Sequence, residues 1–104
     1  MVRLIALYRQ PPDPEAFDAH YRDVHAPLVQ AYPGLVGMTV TKLGGLGGQD
    51  PVFYQMSEMR FASRADLDAA LASDPGRQSG RDLRNFAQAG VELFVAEDDA
   101  TLDA

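Results

Sequence analysis

Phe17-Asp18-Ala19-His20-Tyr21-Arg22-Asp23-Val24-His25-Ala26-Pro27-Leu28-Val29, followed by Tyr32-Pro33-Gly34-Leu35, is the stretch that decides the fold. Ahead of it, Asp13 is a good N-cap, Pro14 suits the first helical position and Glu15 lies in the first turn. The pattern predicts a helix from there to about Tyr32. Phe17, Tyr21, Val24 and Leu28 recur at steps of four and three and would form one apolar face, with Asp18, Arg22 and Gln30 turned away from it. Pro33-Gly34 stops the helix. Pro27 stands inside it, where proline removes one backbone hydrogen bond and clashes with the preceding turn, a cost of roughly 3 kcal/mol. A break of that kind beside an ionisable ring, His25, singles that ring out.

On the N-terminal side, Val2 to Tyr8 is short and rich in branched residues and reads as a buried strand. On the C-terminal side, Leu35 to Leu43 is β-branched and alternating, a second strand. Gly44 to Pro51 is a flexible turn rather than a phosphate loop, because no Lys-Ser/Thr and no helix follow its glycines. Val52 to Phe61 is a third strand, with Phe53, Gln55, Ser57, Met59 and Phe61 on one face. Val52, Tyr54, Met56, Glu58 and Arg60 take the other. Ser63 caps a second helix over Arg64 to about Ala72, with Asp66 at a capping-box position. Ser73-Asp74-Pro75-Gly76 interrupts it, and a further helix runs to about Gln88. Gly90 precedes a last strand, Val91 to Ala96.

The order is βαββαβ, an α+β ferredoxin-like protomer over residues 1–96, with residues 97–104 as an acidic tail. Helices cover one face of such a sheet. Tyr54 and Met56, with Val40 or its neighbours, would lie on the other, and a partly apolar open face calls for a cover. Two such faces meeting in a symmetric homodimer would supply it.

Composition narrows the function classes. The chain of 104 residues has room for one domain with a modest core. A net charge of -6, with the basic residues scattered, argues against nucleic acid as a partner. The absence of cysteine removes disulfides, thiolate nucleophiles and Cys-ligated metal together. No segment approaches the roughly 20 apolar residues that span a bilayer, so no membrane association is expected and a cytoplasmic protein is the default. His20 and His25 are five apart, not the i, i+4 pair that shares a metal, so no metal site is expected.

His25 lies about 40° around the helix from Tyr21, at the margin of the buried stripe. It would either reach a cavity between helix and sheet and titrate near neutral pH, or bond a backbone carbonyl freed by Pro27. His20, on the opposite margin, reads as a partly solvated residue. Tyr21 and Tyr54 carry hydroxyls that could orient a ligand or could serve packing alone. Glu58 is a candidate base, or a partner for Arg60 or for a charge across a dimer.

Phe17, Tyr21, His25, Pro27 and Leu28, then Pro33-Gly34-Leu35, then Phe61 and Ser63, resemble in order and spacing the EthD-like proteins of the dimeric α+β barrel superfamily. The resemblance spans nearly the whole chain. It implies a compact homodimer of ferredoxin-like protomers forming a dimeric α+β barrel. The founding member of that family belongs to a pathway degrading fuel ethers. Related barrels include polyketide cyclases, muconolactone isomerases and monooxygenases, many acting on flat or apolar molecules between helices and sheet without metal or organic cofactor. The chain has no Trp and so lacks the Asn/Trp/His set that resembles a haem-degrading site.

Together these readings give two expectations. One is a cofactor-free isomerase, cyclase or lactone-opening enzyme acting on a small apolar molecule. In it His25 would be the general acid or base, and Tyr21, Tyr54, Met56 and Glu58 would contact substrate. No metal, haem or flavin is expected. The other is a non-catalytic small-ligand-binding or accessory protein of a degradation pathway, with His25 serving structure.

Overall fold

A computed structural model of the protein describes residues 1–103. The elements follow the order β1 (Val2–Arg9), α1 (Pro14–His20), a π-helical turn (Tyr21–His25), α2 (Ala26–Gln30), β2 (Leu35–Lys42), β3 (Phe53–Phe61), α3 (Arg64–Ala72), α4 (Asp74–Phe86) and β4 (Val91–Ala96). The four strands form one antiparallel sheet in the order β2-β3-β1-β4, the ferredoxin-like arrangement. The helices pack on one face. The expected barrel is not formed. β2 and β4 end the sheet as unpaired edges, and closing a barrel takes about eight strands with a matched stagger, twice what this chain supplies. Among the described residues no helix is long and apolar enough to cross a membrane.

The first helical region starts as its sequence dictates, with Asp13 accepting from the Ala16 amide and Pro14 opening α1. Its middle departs from a regular helix. Pro27 has no N–H and its ring would strike the carbonyl four residues back. The chain answers by widening the turn before it, and the Ala26 amide reaches back five residues to the Tyr21 carbonyl. The extra residue re-aims the buried stripe. Phe17, Tyr21, His25 and Val29 are buried at even steps of four, whereas Val24, expected on that stripe, is 43% exposed. His25, expected at the margin, is 4% exposed. Gly34, at φ +76°, then turns the chain into β2 in a conformation open to glycine.

α3 and α4 meet at a single residue. The Ser73 hydroxyl accepts from the Gly76 amide and so caps α4, while the Ser73 amide closes the end of α3 on the Ala70 carbonyl. The helices touch so closely there that a Cβ on Gly76 would fall 2.2 Å from the Ala70 carbonyl oxygen.

The core between the layers holds Leu4, Met59, Phe61, Leu67 and an aromatic cluster. In that cluster Phe86 lies 5.1 Å from Phe17, 5.6 Å from Tyr8 and 4.7 Å from the His25 ring, centre to centre. Such pairs contribute about 0.5–1.5 kcal/mol each beyond the area they bury.

Two face assignments change. Val40 pairs with Ser57 and therefore lies on the helix side of the sheet, not on the open face. Tyr54 is the extra residue of a bulge in β3, since Tyr8 pairs with Gln55 and Arg9 with Phe53. The bulge turns its ring toward α1, where the hydroxyl donates to Asp18 at 2.9 and 3.0 Å.

Candidate active site

A narrow apolar cleft, open to solvent at its mouth, lies between sheet and helices. Leu4, Ala6 and Met59 form its floor, and His25, Val29 and Leu83 stand above them. Alternation along β1 and β3 supplies the floor, and the π-helical turn supplies His25.

His25 is held at both ring nitrogens. Nδ1 lies 2.9 Å from Asp82 Oδ2, and Nε2 lies 3.4 Å from the Tyr8 hydroxyl. Asp82 projects from α4 and is 5% exposed. It also accepts from His20 Nε2 at 2.8 and 3.0 Å and from Asn85 Nδ2 at 2.9 Å. Burial pushes the Asp82 carboxyl up, but the hydrogen bonds from Asn85, His20 and His25 together outweigh it and hold the group below its ordinary value. Burial likewise pushes the His25 ring below the usual histidine value, against the opposing pull of Asp82. A carboxylate on Nδ1 fixes the tautomer: the Nδ1 proton goes to Asp82, and Nε2 carries the lone pair. This is a neutral, oriented base at the wall of an apolar cleft. The Tyr8 hydroxyl, pushed up by burial first and by neighbouring Tyr21, Tyr32 and Asp82, stays protonated beside it.

The other sequence candidates separate. Tyr21 lines the cleft with His25, their rings 5.5 Å apart, and its hydroxyl lies 2.7 Å from Ser57 Oγ. Tyr54 stands at the α1 edge on Asp18. Met56 and Glu58 pair with Leu7 and Ile5 on the far side of the sheet, away from the cleft, and Glu58 accepts from Arg3 at 3.0 Å rather than from Arg60. His20 is 26% exposed at its side chain, as its marginal position suggested, but it is bound to Asp82 and its ring stacks on Phe86. His25 bonds side chains, not a backbone carbonyl freed by Pro27.

Asp82 and Tyr8 were not among the sequence candidates. Asp82 had a signal: Ser79, Asp82 and Phe86 recur at steps of three and four, so this aspartate sits on the buried face of α4. Tyr8, the last apolar residue of a strand before a break, carried none. Among the described residues no group of three or more His, Cys, Asp or Glu side chains is placed to hold a metal ion.

The sequence matches the EthD domain family over residues 9–90. It is 35% identical over 102 residues to an uncharacterized 11.0 kDa protein of Rhodococcus erythropolis from the thcB-thcC intergenic region, covering 98% of this chain and 99% of that one. The fold overlays the crystal structure of an EthD family protein from Bacillus halodurans with a TM-score of 0.89 at 42% identity, over 95% of this chain and 99% of that one. An EthD-like protein from Ralstonia eutropha overlays with a TM-score of 0.75 at 25% identity, over 92% and 89% of the two chains.

Proposed function

Starting from the fact that the chain belongs to the EthD domain family, we propose that it is a cofactor-free enzyme that moves a proton on a small, mostly apolar molecule bound between helices and sheet. The observation that carries this reading is the buried His25–Asp82 pair with its basic Nε2 at the wall of an apolar cleft. His25 is the general base and then the acid, and Asp82 is the positioning residue that fixes its tautomer. The Tyr8 contact at 3.4 Å is at the long end of hydrogen bonding, so a substrate hydrogen can take its place. One proton carried out and back suits isomerisation, cyclisation or the opening of a lactone. Proton transfer by one placed group supplies roughly 10²–10⁴-fold.

The protein also works as a homodimer on this reading, two copies meeting through the face of the sheet that the helices leave open. Ile5, Leu7, Met56 and Phe94 give that face an apolar centre. Within the protomer Arg3 pairs with Glu58 and Arg9 with Glu92, while Arg60 on the same face donates to the Thr39 hydroxyl.

The test is a thermal-shift screen of ketones, lactones and aromatic compounds, followed by turnover of each binder. Binders should be converted by the native protein and lose roughly 10²–10⁴-fold in rate with His25→Gln. Binders that are never converted, or conversion indifferent to His25→Gln, would leave a binding protein in which His25 serves structure.

A further inference from the structure

Three tyrosines line the cleft, and the destination of each hydroxyl proton follows from its partners. Tyr8 faces His25 Nε2, which accepts because the other ring nitrogen donates to Asp82, so the Tyr8 proton goes to His25. Tyr32 lies against Ser79 Oγ, and Ser79 donates its own proton to the Gly76 carbonyl at 2.9 Å, so Tyr32 donates to Ser79. Both protons have acceptors within the protein.

Tyr21 differs. Its hydroxyl and that of Ser57 hold two protons but share one hydrogen bond. Ser57 Oγ already accepts from Gln55 Nε2 at 3.2 Å. The Gln55 amide is not free to turn over and become an acceptor. Lys42 Nζ, a donor only, lies 2.8 Å from Gln55 Oε1 and holds the oxygen away from Ser57. Gln55 and Ser57 are each 1% exposed, and among the described residues no other acceptor lies within hydrogen-bond distance of either hydroxyl. One O–H is therefore left over. Tyr21 is a lining residue of the cleft and Ser57 is not, so the hydroxyl of the pair that can meet a ligand there is that of Tyr21. With Ser57 donating to Tyr21, the leftover proton is the one on Tyr21.

We infer that the Lys42–Gln55–Ser57 chain sets the Tyr21 hydroxyl as an unpartnered donor in the cleft, and that the cleft takes a carbonyl compound whose oxygen accepts that proton. The inference rests on the cleft being the substrate site, and it names the substrate class. A buried donor without an acceptor carries a desolvation penalty that a carbonyl ligand removes and a hydrocarbon of the same shape does not. The chemistry then has both of its poles. His25 Nε2 takes a proton from the carbon beside the carbonyl, the C–H bond breaks as the N–H bond forms, and the electron pair moves onto the oxygen, where Tyr21 donates to the growing charge. Return of the proton to another position completes an isomerisation with no co-reactant. Burial holds the Tyr21 hydroxyl above its ordinary value, against the Ser57 hydrogen bond, so the donor keeps its proton. Lys42 and Gln55 are positioning residues; they act only through Tyr21.

The test compares acetophenone with α-methylstyrene, in which a CH₂ group replaces the oxygen, by equilibrium binding and by the infrared carbonyl stretch of the bound ketone. The native protein should prefer the ketone by roughly tenfold, with the stretch moved to lower wavenumber. Gln55→Glu keeps the shape of the side chain and the contact with Lys42 but offers an acceptor to Ser57, so Tyr21 donates to Ser57 and the free donor disappears. The preference should fall toward unity and the stretch should return. Tyr21→Phe should do the same while leaving the aromatic packing, and it decides the matter if Gln55→Glu does not fold. Equal binding of the two probes by the native protein with an unmoved stretch would overturn the donor and leave the cleft standing. A preference unchanged in both variants would also overturn it. Failure of both probes to bind would overturn the cleft as the substrate site, and this inference with it.

Discussion

His25 Nδ1 and Asp82 Oδ2 lie 2.9 Å apart, joining the π-helical turn to α4 across 57 residues of chain. Neither group could be left there alone. An unpaired buried carboxylate is expensive, and an unoriented imidazole would not present its lone pair to the cleft. Four contacts from His20, His25 and Asn85 fill the Asp82 oxygens, so the carboxylate remains ionised and the His25 tautomer is fixed.

Asp82→Asn tests that orientation. The amide keeps the size of the side chain but removes the charge and part of the hydrogen bonding that pull the His25 pKa up. The His25 titration, followed through the imidazole resonances, should therefore move to lower pH. The rate on any converted substrate should fall by roughly 10²-fold or more, because the ring can now take the wrong tautomer. An upward move of the titration would contradict the part assigned to Asp82.

Stability should decline on acidification in two stages. The folded His25 pKa lies below its unfolded value of 6.5, so protonation favours the unfolded chain. Its contribution is complete above pH 6.5 and is lost as the pH falls toward the folded value. The Asp82 pKa is also lowered, so its contribution is present above 3.8 and is lost below that. The Tm should be level near pH 7 and above, fall first below about 6.5, and fall again below about 3.8. His25→Gln should flatten the first stage and, by removing one of the hydrogen bonds that lower Asp82, shrink the second without abolishing it.

Much of the fold was legible because its signals are local. Asp13, Ser63 and Pro33-Gly34 mark helix ends by their own chemistry, and β4 falls at its expected bounds, Val91–Ala96. What failed was periodicity beyond the proline. A regular 3.6-residue repeat puts Val24 inside and His25 at the margin; the widened turn reverses them, and nothing in Pro27 itself says whether a helix will kink or widen. Tyr54 was placed by strict alternation, which one bulge defeats. The barrel came from the resemblance, and the sheet of this chain stays open. His25 and Tyr21 could be singled out because each sits in a recognisable pattern. Asp82 belongs to the site only through a contact 57 residues away, which no local pattern encodes.

Gly76 is the tightest point between the helices. Gly76→Ala would set a methyl group 2.2 Å from the Ala70 carbonyl oxygen and 2.6 Å from that of Leu71. Backbone cannot yield as a flexible side chain does, so α3 and α4 must separate. Overpacking of this kind typically costs about 1–3 kcal/mol. Thermal unfolding should show the loss. Gly80→Ala is the control: it lies on the same helix, its Cβ would meet nothing within 4 Å, and it should leave stability unchanged or slightly raised. Equal effects from the two would show that the close approach does not limit packing.

The open face of the sheet makes the last prediction. Ile5 pairs with Phe94 and Leu7 with Met56, which places four apolar side chains together on a surface that no helix covers. Phe94 is 51% exposed, an unusual state for so large a ring unless another molecule covers it. If two copies meet here, every contact between a residue and its counterpart patch occurs twice about a two-fold axis. Light scattering at micromolar concentration should then give twice the chain mass of 11.3 kDa. Met56→Glu places two carboxylates, one from each copy, in the apolar centre of the contact. It should yield a monomer, while the protomer keeps its circular dichroism because Met56 takes no part in the helix-side core. Arg3→Ala separates the possibilities further. Arg3 is bound to Glu58 within the protomer, and removing it strands that carboxylate beside the apolar patch. Dimerisation should weaken as the pH rises above the carboxylate range and recover in the double variant Arg3→Ala, Glu58→Gln. A native protein that runs as a monomer at these concentrations would refute the open face as a contact between copies, and Phe94 would then need another cover.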